Sequence, residues 1–304
     1  NSGWRREMAR VVILGCGYIG LELGRQLTAA GHDVTGVRRS ESGQQAIEAA
    51  GFTPHQADLT DPDEIDALPD ADWLVFAASS GGRDATAARK IYVDALADAV
   101  DNYGARESPP DRLIYTSSTG VYGDHDGGWV DEETPLEPTT DKTEVLVEAE
   151  RIAREEAAEN GIDGTVARFS GLYGPDRYRL ERYLEGPVTE GYLNMVHRVD
   201  AAGAVAFLLT ENRARDEVVL VTDDEPADKW AFADWLADAC GVSEQPKQTK
   251  RERLAESDLS AAGRRRVLTS KRCGNDYLHD LGYEFTYPTF REGYLDAVDT
   301  YTAE

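Results

Sequence analysis

The sequence predicts an α/β fold, a doubly wound parallel sheet followed by a smaller C-terminal lobe. Short apolar runs alternate with helical stretches from Met8 to about Asn160, a glycine-rich turn follows the first run, and the last third loses the alternation. Residues 11–14, 34–37, 73–78 and 113–118 read as buried strands. Between the first two, Ile19, Leu23 and Leu27 recur every four residues and lay one apolar stripe along a helix. Runs at 165–169 and 217–221 read as two further strands. Such alternation needs crossover connections, and those make the strands parallel. The smaller lobe is expected over 171–198 and 223–304, with the 217–222 strand returning to the main sheet formed by 8–170. Its aromatics, Trp230, Phe232 and Trp235 and then Tyr283, Phe285, Tyr287 and Phe290, read as core. Residues 1–7, NSGWRRE, read as an extension outside the fold.

Composition narrows the functional classes. The 304 residues carry 32 Lys plus Arg against 57 Asp plus Glu, a formal charge of −25, and at 41% hydrophobic can bury a sizeable core. So negative a surface repels phosphate backbones, and no basic patch offsets it, so no nucleic-acid partner is expected. No run approaches the roughly 18 apolar residues of a membrane span, and no basic-then-apolar leader opens the chain, so neither membrane nor secretory readings are expected. Only six of the basic residues are lysines, and the acid is spread along the whole chain. That pattern suits a halophilic cytoplasm, where multimolar salt screens self-repulsion. Cys16, Cys240 and Cys273 have no ligand spacing, which implies a reducing compartment and no metal.

Directly after the first strand, Gly15-Cys16-Gly17-Tyr18-Ile19-Gly20 fits G-x-G-x-x-G, the fingerprint of a dinucleotide-binding Rossmann domain. Gly15 permits the tight turn, Gly17 lets backbone approach a pyrophosphate, and Gly20 lets helix and strand pack closely. Tyr18 and Ile19 open the helix whose N–H groups and positive dipole end face the anion. At the end of the second strand, where NAD enzymes usually place an acid, stand Arg38, Arg39 and Ser40. Two guanidiniums offer bidentate bonds to a 2′-phosphate, so NADP(H) is expected over NAD(H). Asp58 and Leu59 would flank the adenine, and Ala77, Ala78 and Ser79 would pass under the cofactor.

These residues, together with Thr116-Ser117-Ser118-Thr119-Gly120-Val121-Tyr122-Gly123, resemble the extended and atypical short-chain dehydrogenase/reductases, the NAD(P)-dependent epimerase/dehydratase superfamily. Ala167-Arg168-Phe169-Ser170-Gly171-Leu172-Tyr173-Gly174-Pro175 is similar to the family's strand-then-YGP segment, with Phe169 on the cofactor side. Asn194 to Asp200 looks like its IHxxD segment, where the Asp starts a helix. Lys271-Arg272 to Asn275, Leu281-Gly282-Tyr283 and Tyr287-Pro288 resemble the end of the atypical branch. The resemblance implies a reductase or an epimerase/dehydratase acting on a carbonyl or hydroxyl carbon, with a sugar nucleotide among the substrates it allows. It assigns Thr116 to the cofactor, gives Ser118 the substrate oxygen, and makes a homodimer possible.

The resemblance also implies a Tyr-x-x-x-Lys dyad, which this chain lacks. Registering the helix on Glu148-Ala149-Glu150 puts Lys142 at the Tyr position and Leu146 at the Lys position, and no tyrosine lies between Tyr122 and Tyr173. Hydride chemistry could persist through another acid/base, with Tyr122, Tyr173 and Lys142 as candidates. Alternatively, the protein is a non-catalytic NADP(H)-binding redox sensor, or it passes hydride to an acceptor that needs no phenol. Asp124-His125-Asp126 lies in a loop where a flanked histidine could titrate near neutrality. His197 could touch substrate or link the lobes. Arg177, Arg179 and Arg182 could meet a sugar nucleotide or pair with Asp176, Glu181 and Glu185.

Overall fold

The computed structural model describes residues 8–79 and 84–303, so the expected extension at 1–7 lies outside the described residues. Seven parallel strands form the main sheet: β1 (Arg10–Leu14), β2 (Asp33–Arg38), β3 (Thr53–Gln56), β4 (Trp73–Phe76), β5 (Arg112–Ser118), β6 (Asp163–Phe169) and β7 (Val218–Val221). Their order is β7-β6-β5-β4-β1-β2-β3. The order reverses between β1 and β4, and loops that part there open a crevice beyond the carboxyl ends of the strands. β3 is Thr-Pro-His-Gln, without an apolar run, and sits at the sheet edge, where a proline removes no ladder bond.

Alternate residues of each central strand feed opposite cores. Val12, Leu14, Leu74, Phe76, Leu113 and Tyr115 face one, while Val11, Ile13, Trp73, Val75 and Ile114 face the other. Five helices matter for the site: α1 (Tyr18–Ala29), α2 (Leu96–Gly104), α3 (Asp141–Arg151), α4 (Arg198–Thr210) and α5 (Lys229–Cys240). α1 packs along α4, where the Gln26 amide donates to Val199 O at 3.1 Å. His197 caps α4, its Nδ1 accepting from Val199 N at 3.1 Å. Asp200 therefore lies in the first turn rather than at the cap. It accepts from Thr286 N, Tyr287 N and the Tyr283 hydroxyl at 2.7–2.8 Å, fastening the C-terminal segment to α4.

A third core gathers Phe232, Leu236, Phe290 and Tyr294. Tyr283 and Phe285 instead pad the second core through Phe207. The chain also contains short strands that its sequence does not announce. Gly171–Tyr173 pairs with Met195–His197, Val188–Thr189 with Lys247–Gln248, Tyr192–Leu193 with Ala227–Asp228, and Trp129–Val130 with Arg272–Cys273. At two or three residues each, they are too short to carry a period. Among the described residues no helix is long and apolar enough to cross a membrane. All three cysteines are free and buried.

Candidate functional site: a basic cleft at the strand ends

The crevice at the β1–β4 switch point is an open cavity of about 740 Å³. Its floor is the glycine loop, whose Gly15 and Cys16 N–H groups both donate to Val37 O, at 3.2 and 3.0 Å, tying it to the end of β2. A Cβ on Gly15 would lie 2.2 Å from Ala78 Cα, and its φ of +85° excludes most side chains, so the turn needs glycine twice over. A Cβ on Gly17 would meet nothing within 4 Å and would project into the cavity. Gly17 caps α1 with no side-chain bond, so the first-turn N–H groups lack a side-chain cap. Gly20 stands off the cavity, close against Gly15 O and Ile13, which is the helix–strand contact expected of it.

The other expected cofactor residues come together around this loop. Tyr18 and Ile19 line it, Arg38, Arg39 and Ser40 form the β2 side, and Asp58 and Leu59 stand next to them. Ala77, Ala78 and Ser79 line it from the end of β4, and Thr116 and Phe169 from β5 and β6. Asp58 accepts from the Thr60 hydroxyl and N–H at 2.7 and 2.9 Å, and these bonds hold its carboxyl below the usual range. Arg38 and Arg39 form no side-chain hydrogen bond or ion pair among the described residues. Ser40 caps the helix that follows, accepting from Gly43 N at 3.1 Å.

Sequence reasoning missed several lining groups. Cys16, Ser117 and Ser170 contribute, as do Ile91 and Tyr92 from the stretch before α2. The Ser117 and Ser170 hydroxyls are buried with no hydrogen-bond partner among the described residues. Arg177 and Arg179 reach the cleft, whereas Arg182 does not, and none of the three pairs with Asp176, Glu181 or Glu185 among the described residues. Arg177 stands 4.0 Å from the Tyr18 ring centroid. Among the described residues the charged lining is thus Arg38, Arg39, Lys142, Arg177 and Arg179 against Asp58 alone, in a chain of net charge −25.

Ser118 lines the cleft and its Oγ accepts from Gly120 N at 3.1 Å, capping a tight turn. Lys142 and Leu146, the residues expected at the dyad's two positions, both line it from α3. Tyr122 does not reach the cleft. The turn 119–122 carries it beneath the sheet, where it is fully buried and its hydroxyl accepts from Arg168 Nη1 at 3.0 Å. Burial pushes its phenol up, so it is no acid/base for a ligand above. Tyr173 is likewise buried off the cleft, stacked 4.7 Å from Tyr294. His197 is structural, capping α4 and stacking 3.9 Å from Tyr287. His125 binds Tyr122 O at 2.9 Å within its loop.

A parallel sheet, a glycine loop under an uncapped helix and a basic crevice at the switch point define a dinucleotide-binding Rossmann protein. The chain belongs to the NAD dependent epimerase/dehydratase family, whose profile matches residues 11–242. It is 32% identical over 295 residues to protein YeeZ of Escherichia coli strain K12, covering 92% of this chain and 97% of that one. Among solved structures, it resembles a Methylobacillus flagellatus protein described as an NAD-dependent epimerase/dehydratase, at 30% identity and TM-score 0.73 over 97% and 99% of the two chains. The UDP-glucose 4-epimerase of Thermotoga maritima shares the fold at TM-score 0.79 and 17% identity, over 97% and 99%.

Proposed function

We propose that the cleft binds NADP(H) and that the protein reduces a carbonyl, or oxidises or epimerises a hydroxyl-bearing carbon. The observation that carries this reading is the cleft's charge: among the described residues, five basic side chains against one carboxylate in a strongly acidic molecule. Gly17 leaves room for a pyrophosphate at the start of α1, and Arg38 and Arg39 stand where a ribose 2′-phosphate would need them. Arg177 and Arg179 line the same cavity and add to its positive charge. When bound, the nicotinamide supplies or accepts hydride; the chain holds the reacting oxygen with Ser118 and keeps water off one face with Phe169 and Leu172. Fluorescence titration in multimolar KCl tests the reading: micromolar NADPH binding with much weaker NADH supports it, and a folded protein that binds neither defeats it.

A second reading, a non-catalytic NADP(H) sensor, is favoured by Lys142 and Leu146 standing where the dyad would be. It predicts tight NADPH binding, no hydride exchange on a carbonyl panel, and a partner captured only with cofactor bound. The dispersed acid and scarce lysine support a halophilic cytoplasmic setting, tested by unfolding as KCl is withdrawn. Dimerisation through the helices flanking β4 and β5 remains a proposal for sedimentation to decide.

A further inference from the structure

We propose that Lys229 and Lys250 form an anion site in the smaller lobe, apart from the cleft, and that it takes a phosphate group. Neither lysine lines the cavity, so the proposal stands whatever the cleft binds.

The chain gathers the two at one point. Residues 188–193 run through two short pairings, Val188–Thr189 beside Lys247–Gln248 and Tyr192–Leu193 beside Ala227–Asp228. Between those pairings, Glu190 Oε1 accepts from Lys250 N at 2.8 Å, and Gly191 O accepts from Lys229 N at 2.9 Å. Lysines from distant parts of the sequence thus hang from consecutive residues. Gly191 has a φ of +137°, and a Cβ built on it would meet Lys229 Nζ, Cε and Cδ at 3.5, 3.7 and 3.9 Å. The end of the Lys229 chain therefore lies along bare backbone, held in place without an acceptor.

What the pair lacks is an acid. The chain has only six lysines and a formal charge of −25, yet neither ammonium has a hydrogen bond or ion pair among the described residues. Nearby carboxylates are engaged elsewhere. Asp228 Oδ1 caps α5 by accepting from Ala231 N at 3.0 Å, Glu190 takes the Lys250 backbone, and Asp234 pairs with Lys247 at 2.6 Å. Lys229 is half-buried, and burial first and the Lys250 ammonium second pull its pKa below the usual lysine value. Two like charges held together and partly desolvated cost free energy, and one bound dianion removes that cost for both. A phosphate monoester, with a charge of about −1.5 to −2 and three acceptor oxygens, balances the pair, whereas a lone carboxylate balances half of it. Lysine binds phosphate as a point charge, which suits a site without a planar fork. α5 begins at Lys229, and its positive end adds to the same field.

The test is calorimetric titration of the full chain at pH 8 and fixed KCl, with inorganic phosphate and separately with glycerol 3-phosphate. Phosphate that enters the cleft is common to the parent and the lysine variants, so the difference between them reports this site. Lys229→Met and Lys250→Met are each expected to weaken binding about tenfold or more, and Lys229→Arg, which keeps the charge, to stay within about threefold of the parent. Without phosphate, Lys229→Met should melt no lower than the parent, because it removes a partly buried charge that faces another cation. Tighter binding of the ester than of inorganic phosphate identifies a phosphorylated metabolite as the ligand, and equal affinities identify free phosphate. The proposal is overturned by a folded parent that binds neither, by a Lys229→Met that binds both as the parent does, or by a Lys229→Met that melts well below the parent in phosphate-free buffer.

Discussion

Arg198 holds Tyr18 twice: its Nε donates to the Tyr18 carbonyl at 2.6 Å, and its guanidinium stands 4.3 Å from the centroid of the same residue's ring. Tyr18 in turn bonds Pro175 O, so the residue that opens α1 is fixed to both α4 and the chain leaving β6. On the proposed reading, a pyrophosphate at the glycine loop would meet backbone already ordered by Arg198 and Pro175. Removing those contacts makes binding bear the cost of ordering the loop. Arg198→Ala is expected to weaken NADPH binding about tenfold, ~1.4 kcal/mol, although Arg198 does not line the cavity. Arg198→Lys, which keeps the charge, should recover part of the loss. Titration of the two variants beside the parent checks this, and equal affinities in all three would show that the grip is ornamental.

Two glycines two residues apart should behave oppositely. A methyl on Gly15 strikes Ala78 backbone in a conformation hostile to L-residues, whereas one on Gly17 enters open space at φ −90°. Gly15→Ala is expected to lower the thermal midpoint by several degrees, reflecting a loss of ~2 kcal/mol or more. Gly17→Val should melt with the parent yet lose most dinucleotide affinity, because its branches occupy the phosphate's place. Calorimetry and fluorescence titration on the same samples separate the two outcomes.

The sheet was readable because its central strands are buried on both faces and so appear as unbroken apolar runs, Val11 to Leu14 and Trp73 to Phe76 among them. The glycine loop and the Arg38–Arg39 pair were readable because their chemistry is compressed into adjacent residues. The lining by Ile91 and Tyr92 was not, since their alanine-rich helical stretch gives no hint of the π segment at Lys90–Ala95 that holds them. Tyr122 misled for a related reason. Its distance from Ser118 in sequence suits a cleft residue, but four residues of tight turn carry it under the sheet to Arg168. In the smaller lobe, what organises the chain is Asp200 gathering donors from residues 283–287, a contact across more than 80 residues that no local pattern records.

Beneath the site, Glu150 and Arg168 form a two-pronged ion pair at 2.9 and 2.7 Å, with side chains only 6% and 5% exposed. Truncating one partner strands the other's charge in a medium that cannot solvate it. Glu150→Gln is expected to cost about 3–5 kcal/mol, while Glu150→Leu with Arg168→Met should regain much of that loss. Tyr122→Phe removes a single bond to the same guanidinium and should cost about 1 kcal/mol, with NADPH affinity unchanged. Urea unfolding of the four proteins checks the order. A cofactor defect in Tyr122→Phe would return that tyrosine to the site.

Asp223 gives the molecule a pH dependence of unusual sign. It is 1% exposed, and among the described residues its Oδ1 accepts only from Glu225 N at 3.1 Å and its Oδ2 has no hydrogen-bond partner. Burial, reinforced by Asp224, Glu225 and Asp200, pushes its carboxyl up to about 8. The folded protein then holds a proton that the unfolded chain releases near pH 4, so stability from this group is complete below pH 4 and drains away as pH rises to about 8. The slope is at most about 1.4 kcal/mol per pH unit. His197 works the other way: burial lowers it to about 4, so its stability is full above pH 6.5 and is lost as pH falls toward 4. Between pH 4 and 6.5 the two slopes oppose each other, which leaves pH 6.5 to 8 as the window where Asp223 acts unmasked. There the parent should lose stability with rising pH, and Asp223→Asn, which cannot ionise, should hold level. Unfolding free energies measured across that window decide it, and parallel lines for the two proteins would mean that Asp223 is already ionised in the fold.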